Sequence, residues 1–232
     1  MALNRVVGVP APDGMRAPGQ EKKEKTYDVS VVERNFFLES WKLLERRFFE
    51  AMTDLLLVPE NISFEKAIEI TQSLLAQMVS GGLPPASVKS VISDLVKTAN
   101  GARGFFVTYL TDEGPVADNP SAEVVEALAS SEDIVAPLLV KNVAMSAGMA
   151  VAHRRSGDEI MAASSRRVTR RSIDLLNRLQ MSQATLMARE LAASSRSGVG
   201  EWENFLKRWG YDSEQRLAIE EALQGVVKEK EK

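Results

Sequence analysis

The sequence predicts an all-α protein: a single multi-helix bundle of about seven helices, with a disordered N-terminal arm before it and a C-terminal helical hairpin after it. Three observations carry that expectation. Apolar residues recur at three- and four-residue intervals from Val32 to Leu223, and glycine and proline clusters interrupt them at short spacings. Only Phe105 to Thr111 has strand-favouring composition, and a lone strand would have nothing to pair with, so it too reads as helix. The expected boundaries are 1–26 for the arm, 27–197 for the bundle, and 198–232 for the hairpin and charged tail.

The arm mixes Pro10, Pro12, Pro18, Gly8, Gly14 and Gly19 with the charge run Glu21 to Lys25, a composition that cannot bury a core. From Asp28 to Leu57 the pattern turns helical: Val32, Phe36, Leu43 and Met52 approach a 3.6-residue repeat, and apolar doublets such as Phe48-Phe49 widen the stripe until Pro59 ends it. Ser63 then offers a cap for a helix from Phe64 to Val79 with Ile68, Leu75 and Val79 on its apolar face. Gly81-Gly82-Leu83-Pro84-Pro85 stops that helix and restarts the chain, and Val88, Ile92, Leu95 and Val96 define the next one through about Ala99. Gly101-Ala102-Arg103-Gly104 resembles the GxxG loop with which KH domains clamp a nucleic-acid backbone. Those domains need a three-stranded sheet that is not legible here, so a kink or turn is expected instead.

Between Asp112 and Asp133 the chain carries seven acids and no lysine or arginine, with a short helix expected from Ala122 to Ala129. Ile134 to Ser197 is the organising stretch and reads as two long helices. In the first, Pro137 is expected in the opening turn with Glu132 or Asp133 as cap. Ala144, Gly148 and Ala152 fall at i, i+4 and i+8 there and predict close packing of another helix. Lys141, Asn142, Arg154 and Arg155 argue against a transmembrane segment. The second helix opens at Asp158 and Glu159, with Met161, Val168, Leu175 and Ser182 at seven-residue intervals and Leu179 and Leu186 on the adjoining row. After the Ser197-Gly198-Val199-Gly200 hinge come a short helix with Trp202, Phe205, Leu206 and Trp209, and a last one carrying Leu217, Ile219 and Leu223.

Composition narrows the chemistry. With no cysteine, the chain lacks thiol nucleophiles, disulfides and thiolate metal sites; a single histidine, His153, excludes metal sites that need two or more, and neither a metal nor a cofactor is expected. As a catalytic base His153 would sit beside Arg154 and Arg155, whose charge opposes its protonation. No glycine-rich phosphate loop follows a strand. A net charge of −3 gives no global attraction to nucleic acid or anionic lipid, and the N-terminus lacks an apolar signal region, so a cytoplasmic location is expected.

What remains is an excess of arginine. Arg166, Arg167, Arg170, Arg171 and Arg178 lie off the apolar stripe of the second long helix, with only Asp174 among them. A planar guanidinium suits two-point contact with carboxylate or phosphate. The expected function is therefore a non-enzymatic interaction factor that docks an acidic protein partner, or self-associates, through this face or through Trp202 and Trp209 of the terminal hairpin. Nucleic-acid backbone binding by the same arginines is the alternative, and a small-molecule pocket in the bundle, possibly enzymatic, is the third. The acidic tract before the cluster suggests charge pairing within or between molecules.

Overall fold

The computed structural model describes residues 56–227, and among them it contains nine α-helices and no strand. They are α1 (Phe64–Ser80), α2 (Pro85–Val96), α3 (Ala99–Thr111), α4 (Ala122–Ala129), α5 (Glu132–Arg155), α6 (Glu159–Leu179), α7 (Ser182–Ser197), α8 (Glu203–Trp209) and α9 (Ser213–Val227). The all-helical class follows the sequence, with more helices than the expected seven. The arm and almost all of the aromatic helix expected over 28–57 lie outside the described residues.

Local chemistry sets most of the boundaries. Ser63 Oγ accepts from the Lys66 amide at 3.1 Å, Thr98 Oγ1 from Gly101 at 3.1 Å and Asp158 Oδ1 from Met161 at 3.0 Å, each satisfying an N–H that the first helical turn leaves without a partner. At the other ends, Gly81 and Gly198 take φ of 68° and 78°, a left-handed backbone in which a β-carbon is strained.

Helices α1 to α4 form one packed set, α1 on α3 and α2 on both α3 and α4. Helices α5 to α9 form the other. There α5 lies centrally against α6 and α9, and α9 also packs on α7, so the last helix covers the body. The two sets meet where α3 and α4 touch α5 and α6, around the stacked rings of Phe105 and Tyr109, 5.0 Å apart, and the edge-on ring of Phe106. Helix α5 is the one helix among the described residues long and apolar enough to cross a membrane by length and composition, and half of that window is buried inside the protein. Its core face includes Val135, Leu139, Val143 and Ala144, all fully buried.

Three local expectations are corrected. Gly101 and Gly104 lie inside α3 and form neither kink nor turn. A β-carbon on Gly104 would stand 2.5 Å from that of Ala67 and 2.8 Å from the Phe64 carbonyl oxygen, so this glycine permits the close crossing of α3 on α1. The second long helix is broken into α6 and α7 at Gln180, whose φ of 50° ends α6 without a glycine to announce it. Of the expected stripe, Val168, Leu175 and Leu179 of α6 are buried or half-buried, whereas Met161 at the start of α6 and Ser182 and Leu186 beyond the break are exposed. Finally, α5 starts early enough to place Pro137 in its second turn, where the backbone bond to the carbonyl of Asp133 cannot form.

Candidate functional site

The arginines of α6 do not share one environment. Arg171 is fully buried, and all its N–H directions are engaged. Its Nε and Nη2 donate to the two carboxylate oxygens of Asp118 at 2.9 and 2.8 Å, Nη1 to the carbonyls of Leu110 and Asp112 at 2.9 and 2.6 Å, and Nη2 also to Gly114 at 3.1 Å. The surface position expected for Arg171 is thus corrected. A guanidinium buried to this degree needs a carboxylate and carbonyls around its fork, and the acidic loop between α3 and α4 supplies them. Hydrogen bonds from Arg171 first, and from Arg170 as well, hold the Asp118 carboxyl well below the usual carboxylate range.

Arg170 is exposed and donates to Asp118 Oδ1 at 2.7 Å; Arg166 is exposed and 3.7 Å from Glu159; Arg178 is exposed; Arg167 is half-buried, with its Nε buried and without a hydrogen-bond partner. Arg171 pairs with Asp118 on the loop after α3 and not with Asp174, three residues on in its own helix. Arg166 and Arg170 stand at the mouth of a groove of about 490 Å³ between α5, α6 and α9, where Asp174 and Glu221 bring charge of the opposite sign. The cluster is thus partly structural and partly compensated by acids.

Helix α5 packs closely with α6 and α9. Ala144 is fully buried and Ala152 half-buried, but what approaches Gly148 is a ring: a β-carbon there would lie 2.7 Å from Cε1 of Tyr211, in the turn between α8 and α9. Burial pushes the Tyr211 hydroxyl up to about 12. One turn on, Gln215 Nε2 donates to the Gly148 carbonyl at 3.1 Å. At the end of α5, Arg154 and Arg155 grip Glu214 and Asp212 at the start of α9. Asp212 also caps α9 reciprocally with Gln215.

These contacts fix α8 at the edge of a second, larger opening. Between α8 and the exposed sides of α3 and α5 lies a cleft of about 920 Å³. Phe106, Leu110, Leu138 and Val168 form its floor; Phe64, Trp202, Phe205 and Trp209 supply aromatic walls. Trp202 meets Phe205 edge-on at 5.7 Å, whereas Trp209 remains half exposed and Val107 of α3 is 44% exposed, so apolar surface is left facing the opening. Three cations line it: Arg103 with its guanidinium 5.4 Å from the Phe64 ring centroid, Lys141 with Nζ 5.9 Å from that of Trp202, and Arg208. No carboxylate stands among the described residues that line the cleft, and none of the three cations makes an ion pair with a described residue.

The structure therefore unites Trp202 and Trp209 with Arg103, Lys141 and Arg208, and leaves the α6 arginines on other faces. Sequence reasoning missed the three cations because they stand on three helices. The available signal was an arginine between two glycines in an apolar helix and a lysine inside an apolar run.

Fold and site together define an all-helical protein with an apolar, cation-rimmed cleft. The chain belongs to the family described as uncharacterised conserved protein UCP020893, whose model matches residues 63–226, from the cap of α1 almost to the end of α9. No curated protein and no solved structure matches it.

Proposed function

We propose that the protein is a non-enzymatic interaction factor that docks an acidic partner protein through the cleft between α3, α5 and α8. The observation that carries this reading is the cleft's composition: exposed apolar surface on Trp209 and Val107 beside three cations, with no carboxylate among its described lining residues. Aromatic and arginine side chains that combine large contact area with charge are the usual anchors of protein interfaces. The α6 face supports the reading less well, because Arg171 is committed to Asp118 and Arg170 shares the same acid.

The test is recovery of a stoichiometric partner from native lysate by the tagged full chain, with and without nuclease. Trp209→Ala combined with Arg208→Glu is expected to lose that partner, whereas Arg166→Ala combined with Arg178→Ala retains it. Loss with the second pair alone would move the interface to α6, and recovery that disappears on nuclease treatment would replace protein docking by nucleic-acid backbone binding.

A further inference from the structure

We infer that the occupant of the cleft is an amphipathic helix of the partner, with an apolar stripe flanked by glutamates or aspartates; this rests on the docking reading above. The lining itself excludes an extended peptide held by backbone pairing. The elements around the cleft are helices whose amides are engaged internally, and no strand edge exists among the described residues for a peptide to join. An occupant must therefore be held by the cleft's side chains.

The cleft prescribes where those side chains fall. Its floor and aromatic walls are apolar, and its cations come from three separate helices, Arg103 from α3, Lys141 from α5 and Arg208 from α8. Arg103 and Lys141 each lie over a ring of the cleft wall, so their charges are held at its sides. A single phosphate or carboxylate is best bound by donors that converge on one point. Cations distributed around an apolar floor instead complement a ligand that is apolar along one stripe and acidic beside it. A helix with apolar anchors at i, i+3 or i+4 and i+7, and acids on the neighbouring rows, has that pattern. Trp209 and Val107, left exposed on facing elements, would be the apolar surface that such a stripe covers.

The experiment uses the full chain and three fluorescein-labelled peptides of about 18 residues, or five turns. One has a leucine stripe flanked by glutamates, one the same stripe flanked by lysines, and one the glutamate composition scrambled. Fluorescence anisotropy is expected to show saturable binding of the glutamate helix only. Trp209→Ala should weaken it about thirtyfold, as for a central aromatic anchor. Arg103→Glu and Arg208→Glu, both at exposed positions, should each weaken it about tenfold, because reversal turns attraction into repulsion. The double reversal should prefer the lysine helix, a switch that mere loss of folding cannot produce.

Equal binding of the glutamate and lysine helices, or of the scrambled peptide, overturns the inference, as does indifference to charge reversal. So does binding of dodecanoate in preference to the glutamate helix, which would make the cleft a site for an amphiphilic anion. The two readings fail separately. A native partner lost with Trp209→Ala while no acidic helix binds leaves docking intact and removes the helix. Binding of the acidic helix while native recovery ignores every cleft variant removes the docking assignment itself.

Discussion

Replacing Arg171 by methionine is the most demanding test of how the two helical sets are joined. The substitution keeps much of the side-chain volume and removes a guanidinium that is buried almost completely. It leaves Asp118 only its bond from the exposed Arg170 and strands three carbonyls, of Leu110, Asp112 and Gly114. The Leu110 carbonyl is one of those that the end of α3 leaves without an intrahelical partner, and α3 has no basic residue in its own last turn. Arg171 supplies that charge from α6 and so caps α3 across the interface. Each buried acceptor left unpaired costs about 1–3 kcal/mol. Asp118 is about a third exposed, so water recovers part of its share, and the whole loss is expected to be about 3–5 kcal/mol, as for a broken buried pair. For a chain of this size that corresponds to a melting point lower by about 10 °C. Arg171→Lys should lie in between, since it restores a charge without the planar fork. Urea unfolding followed by far-ultraviolet circular dichroism measures all three proteins, and Asp118→Asn in the methionine background should add little, because its buried partner is gone and only the exposed Arg170 still donates to it. A loss below about 1 kcal/mol for methionine, or a lysine variant as stable as the parent, would refute the cap.

Other consequences separate the remaining contacts. Arg170→Ala, next in sequence but 61% exposed, is expected to cost less than about 1 kcal/mol in the same assay despite sharing Asp118. Gly104→Ala should destabilise by about 1–3 kcal/mol or more, because its β-carbon meets Ala67 and the α1 backbone; Gly148→Ala should cost less, and Tyr211→Leu should relieve it, because there the obstacle is a ring. Arg155→Ala should speed amide exchange in α9 with little effect on α1 and α2, since it frees Asp212 and Glu214 from the end of α5. Acid should act on the same contacts. Asp118 and Asp212, the latter at about 2 with Arg155 as its main cause, titrate lower folded than unfolded, so their contribution is complete above about pH 4 and is lost as pH falls through the folded values. A melting point that stays level from pH 5 to pH 2 would show that these pairs do not contribute.

The fold was legible where chemistry is local. Ser63 as cap, the Gly81-Gly82-Leu83-Pro84-Pro85 break and the apolar periodicity of α2 can be read from neighbours a few residues apart, and the structure follows them; the stripes of α1 and α9 hold at Leu75, Ile219 and Leu223 but not at Val79 and Leu217, which are exposed. It was illegible where a distant contact decides. Gln180 adopts a left-handed backbone without a turn-forming residue, so one expected helix became two. Gly104 carries the sequence signature of a turn and serves a helix crossing, because the partner that requires its missing side chain, Ala67, lies on another helix. The cleft is the extreme case: Arg103, Lys141 and Arg208 have no common pattern until α3, α5 and α8 are packed.

Arg171 stands between these cases, and its fate was written in the periodicity. Val168, Arg171 and Leu175 are spaced by three and four residues, the interval of a buried stripe, so Arg171 occupies a seam position with half-buried Val168 before it and fully buried Leu175 after it. Counting arginines by abundance put it on the surface with its neighbours, whereas counting by angle puts it inside. A guanidinium inside must be paired, and the tract from Asp112 to Asp133 carries seven acids and no base of its own. Those two facts point to pairing between α6 and the acidic tract, and the packing of α6 on the loop after α3 selects Asp118 for it. Once Arg171 is assigned to the fold, the α6 cluster no longer forms a single uncompensated patch, and the cations that stand beside exposed apolar surface without an ion pair to a described residue are Arg103, Lys141 and Arg208 around Trp209.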